Sequence, residues 1–109
     1  MKDLGGRRNP KAGSNNLRWH NAAFRGYADY MQTEEFITAV SQLETMGFGY
    51  STAFMCSEAL WWRCHRSLIS DYLKIRCWTV FHIMDISKAN EHPYTSASRI
   101  EDNKLFYSE

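Results

Sequence analysis

Residues 50–84 read YSTAFMCSEALWWRCHRSLISDYLKIRCWTVFHIM, and they decide the fold that we predict for this chain. Residues 50–56 form an apolar run of strand length with glycine just upstream, which is typical of a strand buried on both faces. Residues 62–76 repeat apolar side chains at helical spacing, with basic residues on the opposite side. Residues 78–84 are rich in β-branched and aromatic side chains and predict a second strand. A strand, a helix and a strand in this order predict a parallel, right-handed crossover unit.

The segments on either side of this unit fit one α/β domain. Residues 17–31 show helical spacing that Asn15 or Asn16 can cap, and Gly26 either kinks this helix or admits a close neighbour. Thr33 before two glutamates predicts the start of a second helix, which the glycines at positions 47 and 49 end. Residues 100–107 predict a hairpin. We therefore predict a single domain of residues 1–109 with a small sheet, in which residues 1–16 are a loop-rich N-terminal segment.

The composition excludes several classes of protein. Thirteen Lys and Arg against twelve Asp and Glu give a net charge of +1, so no overall field attracts nucleic acid or an acidic membrane. No apolar run approaches the ~20 residues of a membrane helix. Three cysteines and the lack of a secretory signal pattern predict a reduced, cytoplasmic protein. With 4 Trp, 6 Tyr and 6 Phe, some aromatic rings are expected to face a partner or a pocket.

Residues 56–66 hold most of the side chains that could do chemistry, namely Cys56, Glu58, Arg63, Cys64, His65 and Arg66. In the predicted unit, the first thiol ends a strand and the second thiol begins the helix, at the sheet edge where open α/β folds bind ligands. A helix start offers amides and partial positive charge, which favour an anion and a thiolate. The two arginines are three residues apart and are predicted to clamp that anion.

The cysteines of this cluster allow several interpretations. As a nucleophile, Cys56 or Cys64 would rely on His65 and Glu58 for proton transfer. A metal site is disfavoured, because three ligands with seven residues between the cysteines do not match a closed zinc site. A disulfide between the two requires a redox-active protein, and otherwise both thiols are small buried side chains. No glycine-rich phosphate loop is present, and we predict no cofactor.

Several residues near the cluster are predicted to be structural. His82 lies in an apolar-rich element and is expected to be a satisfied core residue, whereas His92 is expected at the surface. Cys77 is expected in the core. The adjacent Trp61 and Trp62 point about 100° apart in a helix, so one of them is expected to face the site or an interface.

Five sequence motifs resemble those of a known family. They are LGGRR at residues 4–8, FRGYADYM at 24–31, MCSE at 55–58, WRCHRSLI at 62–69 and HI at 82–83. On these motifs, which span nearly the whole chain, the sequence resembles the family of domain of unknown function 488. The resemblance implies a small cytoplasmic α/β protein whose suspected site is the cysteine, histidine and arginine cluster, without an agreed activity. We predict that Arg25 and Tyr27 of the second motif line this site together with Trp61 and Trp62.

The resemblance also implies that a front part of the family fold is missing. Members normally carry, ahead of the LGGRR motif, a His-Ser motif on a first strand and an Asp-x-Arg motif on a second. They usually have proline where Trp61 stands. We therefore expect a truncated Rossmann-like three-layer fold with an unpaired sheet edge. Self-association is one way to cover such an edge, and it predicts a homodimer.

The function expected at this point is that of an oligomeric remnant of an α/β family. Its Cys/His/Arg site would bind an anionic small molecule, with no assured catalysis. The alternative is an enzyme that acts on a phosphate- or nucleotide-like substrate through a cysteine nucleophile. Neither nucleic acid nor a membrane is expected as a partner.

Overall fold

The computed structural model describes residues 2–5, 8–50, 52–53 and 60–109. In these ranges the helices are α1 (Ala22–Tyr30), α2 (Glu34–Gly49) and α3 (Arg66–Ile75), and the strands are β1 (Phe81–Asp85), β2 (Lys88–Glu91), β3 (Arg99–Glu101) and β4 (Lys104–Phe106). Short 3₁₀ turns occupy Lys2–Leu4 and Trp61–Arg63. The mixture of helices and small sheets confirms the α/β class. None of the helices described is long and apolar enough to cross a membrane.

The strands form two antiparallel hairpins. β1 pairs with β2, with Phe81 opposite Glu91, and β3 pairs with β4, with Arg99 opposite Phe106. The hairpin predicted for residues 100–107 is thereby confirmed. Its two turn residues, Asp102 and Asn103, both have positive φ, as the right-handed twist of a two-residue hairpin loop requires.

The predicted parallel crossover is wrong for the strands that the structure describes. The strand expected at residues 78–84 exists as β1, but it pairs antiparallel with β2, so neither a parallel unit nor a three-layer Rossmann-like sheet is formed by the described residues. Most of the strand predicted for residues 50–56 lies outside the described residues. β-branched and aromatic residues indicate that a segment is a strand, but they do not say which strand it pairs with. Here β1 pairs with β2, which follows after a two-residue loop, because closing a short loop costs little entropy.

Side-chain capping sets the starts of α1 and α2. Thr33 accepts the Phe36 amide at 3.3 Å and starts α2, as predicted. The first helix instead begins at Ala22, capped by Asn21, whose Oδ1 accepts two backbone amides. Asn16, one of the caps predicted, donates its side-chain amide to Asp29 at 2.7 Å, so a tertiary contact takes it away from the helix end.

The end of α3 corrects the prediction for Cys77. This residue is exposed and has φ of 72°. Its N–H donates to the Lys74 carbonyl, and the next amide, of Trp78, donates to the Leu73 carbonyl. These two bonds form a Schellman cap, in which the position of Cys77 is usually taken by glycine. The need to close the helix therefore places Cys77 outside the core.

The core lies between the three helices and the C-terminal segment. Its fully buried large side chains include Tyr27, Phe36, Val40 and Leu68, and Tyr107 reaches it from the chain end after β4. The Phe36 ring meets the edges of Tyr27 and Tyr72 at 6.1 and 5.2 Å between centroids. Such edge-to-face contacts fix how α1 and α3 pack on α2.

Candidate functional site

The part of the predicted cluster that the structure describes, Arg63 to Arg66, lies at the turn that precedes α3 and at the start of that helix. Trp61–Arg63 forms the 3₁₀ turn, Cys64 and His65 follow, and α3 begins at Arg66. The helix was expected to begin at residue 62, so its actual start comes four residues later. Arg63 and Arg66 therefore belong to different elements.

The first amides of α3 already have acceptors. The amide of Ser67 donates to the Cys64 carbonyl, and the amides of Leu68 and Ile69 donate to the His65 carbonyl, at 3.0–3.2 Å. The amide of Arg66 donates to Cys64 Sγ at 3.4 Å. An anion at this helix end would therefore be held by side chains rather than by backbone amides, contrary to the expectation of open amides.

Cys64 and His65 are both packed against neighbours. Cys64 is 5% exposed, so its thiol lies inside the surface. The His65 ring stacks on Tyr27 at 4.8 Å between centroids and meets the edge of Phe24 at 5.5 Å. Burial, followed by the neighbouring Tyr30, raises the pKa of Tyr27 above its ordinary value, and the Tyr27 hydroxyl donates to the Leu4 carbonyl.

The structure brings some predicted site residues together and leaves others apart. Tyr27 contacts His65, as the interpretation requires. Arg25 donates its Nε to the Trp19 carbonyl at 3.1 Å and a second nitrogen to the His20 carbonyl, so it holds the loop before α1. Cys56 and Glu58 lie outside the described residues, and their roles stay predictions.

The two tryptophans point in different directions, as their adjacency predicts. The Trp61 ring lies flat on His82, with 4.2 Å between centroids and 2° between planes, and its edge approaches His92. Trp62 meets Trp61 at a right angle and is half exposed. Trp61 therefore covers a pair of histidines, while Trp62 remains at the surface.

These histidines belong to a buried chain of hydrogen bonds that was missed in the sequence. His82 Nε2 lies 2.6 Å from His92 Nδ1, and His92 Nε2 lies 2.8 Å from Asp71 Oδ1. Asp71 and His92 are both 0% exposed. We refer to His82, His92 and Asp71 as the histidine–aspartate chain.

Asp71 is the anchor of the histidine–aspartate chain. Besides His92, it accepts the Thr95 amide at 3.0 Å, the Thr95 hydroxyl at 2.5 Å and the Tyr107 hydroxyl at 2.8 Å. Burial and the adjacent Asp71 carboxylate raise the pKa of Tyr107 well above its usual value. The Asp71 carboxylate on α3 thus binds the segment after β2, through His92 and Thr95, and the segment after β4, through Tyr107.

The prediction that His92 lies at the surface is wrong. Its amide donates to the Val80 carbonyl at 2.7 Å, just before β1, and Lys74 on α3 donates to its carbonyl at 2.7 Å. These two bonds hold the His92 backbone next to the start of β1 and to α3. A signal for this site was present in the sequence. Asp71 falls on the apolar side of α3, between the buried Leu68 and Leu73, and a carboxylate in that position requires buried donors.

His82 carries no charge at neutral pH. Desolvation, then the neighbouring His92, then Arg66 lower its pKa from 6.5 to about 4. Asp71 acts in the opposite direction but is weaker.

The donor set does not resemble a metal centre. Within the described ranges, no three His, Cys, Asp or Glu side chains are grouped so that they could hold a metal ion. In the histidine–aspartate chain, both nitrogens of His92 are occupied by hydrogen bonds, so the three groups form a line rather than a shell.

Comparison with known proteins gives one match. The family model described as domain of unknown function DUF488 matches residues 1–73. No curated protein and no solved structure matches the chain. The matched segment contains the turn before α3 and Asp71, whereas His82, His92 and Tyr107 follow it in the sequence. Because 73 of 109 residues match, the chain belongs to the DUF488 family.

Proposed function

We propose that this protein binds a small oxyanion at the turn before α3, with Arg63 and Arg66 as its cationic contacts. The observation that carries the proposal is the exposed position of Arg63, whose guanidinium has neither an ion pair nor a hydrogen bond with the described residues. A guanidinium that does no structural work in the fold has its forked donors available for a carboxylate or a phosphate.

Most other arginines of the fold have structural contacts. Arg18 donates to the Ala97 carbonyl at 2.6 Å, Arg76 donates to Glu44 at 2.8 Å, and Arg99 donates to the Ser108 carbonyl at 3.0 Å. Arg25 holds the loop before α1, as described above. This difference singles out the turn before α3 as the place where a cation serves something other than the fold.

The surroundings of the turn suit an anion. Trp62 adds a half-exposed flat surface beside Arg63, and the neighbouring His82 is neutral at pH 7, so it adds no charge that would repel the guanidiniums. The thiol is less accessible, because Cys64 is 5% exposed. Catalysis by a cysteine nucleophile therefore stays a prediction, and anion binding is the function that we propose.

Arg63→Ala and Arg66→Ala should each weaken binding of inorganic phosphate about 10-fold. A hydrogen bond to a charged group contributes about 1.5–3 kcal/mol, and each 1.4 kcal/mol is a factor of ten in affinity. The affinity can be measured by calorimetric titration. Lys104→Ala is the matched control, because it removes one positive charge from an exposed position on β4 and should leave affinity unchanged. Equal phosphate affinity in all four proteins would refute the anion site.

We also propose that a second copy of the chain packs on the β1–β2 hairpin. Phe81 and Ile83 alternate with the inward-facing His82 along β1, and Ile83 is 72% exposed. The turn residue Ile86 is also exposed. Exposed apolar side chains on a sheet to which the described residues add no third strand favour pairing with another copy.

Light scattering at micromolar concentration should give twice the monomer mass for this protein. Ile83→Lys should halve that mass, because the charge would be buried in the interface. Lys88→Ala on β2 serves as a control on the same hairpin and should remain dimeric. A monomeric mass for the unchanged protein would remove the proposed dimer.

A further inference from the structure

We propose that His82 accepts a hydrogen bond from a protonated oxyanion, such as hydrogen phosphate or a phosphate monoester that carries a proton. The histidine–aspartate chain holds His82 in the tautomer that this role requires. The inference rests on the proposed anion site and specifies its ligand: the site would select an anion that has an O–H group as well as negative oxygens.

The carboxylate determines where the protons of the chain lie. Three groups besides His92 can donate to Asp71, namely the Thr95 amide, the Thr95 hydroxyl and the Tyr107 hydroxyl. An ionised carboxylate only accepts hydrogen bonds, and this set of donors suits the ionised form. The His92 nitrogen that faces Asp71 must therefore carry its proton.

The protonation of His92 in turn determines which nitrogen of His82 carries a proton. In this proposal His92 is neutral: with its proton on Nε2, it presents an unprotonated Nδ1 toward His82 Nε2, 2.6 Å away. His82 Nε2 must then carry the proton and donate it. The second nitrogen of neutral His82, Nδ1, is left with a lone pair and can only accept.

Other positions on His82 are occupied, which limits where a ligand can reach it. Trp61 lies flat on the ring at 4.2 Å, and Nε2 is used by His92. The described residues provide no hydrogen-bond donor to Nδ1. A ligand can therefore make a polar contact with His82 only at Nδ1, in the plane of the ring, and Nδ1 requires an O–H or N–H donor.

The arginines of the turn supply the second half of the recognition. Trp61, which stacks on His82, begins the 3₁₀ turn that ends at Arg63, and Arg66 starts α3 just after it, so the cations and the neutral acceptor are arranged around one turn. A ligand that satisfies both must combine negative oxygens with a donor. Hydrogen phosphate meets this requirement, whereas sulfate at neutral pH has the charge and the tetrahedral shape but no proton to donate.

Selectivity between these two anions tests the inference. We expect phosphate to bind at least 10-fold more tightly than sulfate at pH 7, the selectivity that an acceptor facing an aprotic ligand produces. In His82→Phe, which keeps a flat ring against Trp61, the ratio should fall to about one. Arg63→Ala should weaken both anions and preserve the ratio.

Nitrogen NMR of the histidine rings provides a readout that does not depend on a variant that folds. In the unchanged protein, His82 should show a protonated Nε2 and an unprotonated Nδ1, and phosphate but not sulfate should shift the Nδ1 resonance. A proton found on His82 Nδ1 would overturn the inference. Equal binding of the two anions would overturn it and leave the anion site standing, whereas no binding of either would overturn both.

Discussion

Asp71→Ala should remove about 4 kcal/mol or more of the free energy of unfolding, a large part of the 5–15 kcal/mol typical of a domain. The substitution leaves four donors without an acceptor: His92 and the Tyr107 hydroxyl, which are buried, and the Thr95 amide and hydroxyl, which are partly buried. Each unsatisfied buried group costs about 1–3 kcal/mol, and these costs are not fully additive. Urea denaturation followed by circular dichroism measures the loss.

Glu101→Ala is the control for the loss of charge alone. Glu101 is exposed and pairs with Arg99 at 2.7 Å on the β3–β4 hairpin. Surface pairs of this kind contribute at most about 1 kcal/mol, so its midpoint should move little. If Asp71→Ala unfolded at the same urea concentration as Glu101→Ala, the carboxylate would not anchor the C-terminal segments to α3.

Gly26→Ala should destabilise the protein by about 2 kcal/mol or more, although alanine is the better helix former. A Cβ at position 26 would lie 2.6 Å from the carbonyl carbons of Arg8 and Asn9 and closer still to the Arg8 oxygen. Overpacking against backbone costs about 1–3 kcal/mol or more, while the gain in helix propensity is about 1 kcal/mol. Thermal and urea unfolding measure the net effect.

Gly49→Ala is the matched control with the opposite expected sign. Gly49 is the last residue of α2, and a Cβ there would meet no atom within 4 Å. The same substitution should therefore be neutral or stabilise by up to about 1 kcal/mol. If both variants gained stability, the N-terminal segment would not pack against α1 as the structure has it.

The two residues have different consequences for the site. Gly26 lets the backbone of Arg8 and Asn9 approach α1. The same helix carries Tyr27, whose ring stacks on His65. Asp71 orients the histidines that Trp61 covers. Loss of phosphate binding in either variant at a temperature where it is folded would show that packing away from the turn holds the anion site.

Local signals in the sequence were sufficient where a few neighbouring residues decide the structure. Thr33 was predicted to start α2, and it does, because its hydroxyl accepts an amide only three residues away. The hairpin of residues 100–107 was also predicted, and in the structure its turn residues Asp102 and Asn103 have positive φ, which few residue types tolerate. Tyr27 stacks on His65, and its assignment to the site stays a prediction.

The sequence by itself determined the class of the fold and the family, but it placed Arg63, Cys64 and His65 inside the helix rather than in the turn before it. The tertiary structure decided which strand β1 joins and how the helix amides are used. It also decided that His92, expected at the surface, lies buried between His82 and Asp71. The physical reason is that capping and turn preferences act over a few residues, whereas strand partners and buried polar groups are chosen by donors far away in the chain. Asp71 is satisfied by residues 21 to 36 positions later, and only the folded chain brings them together.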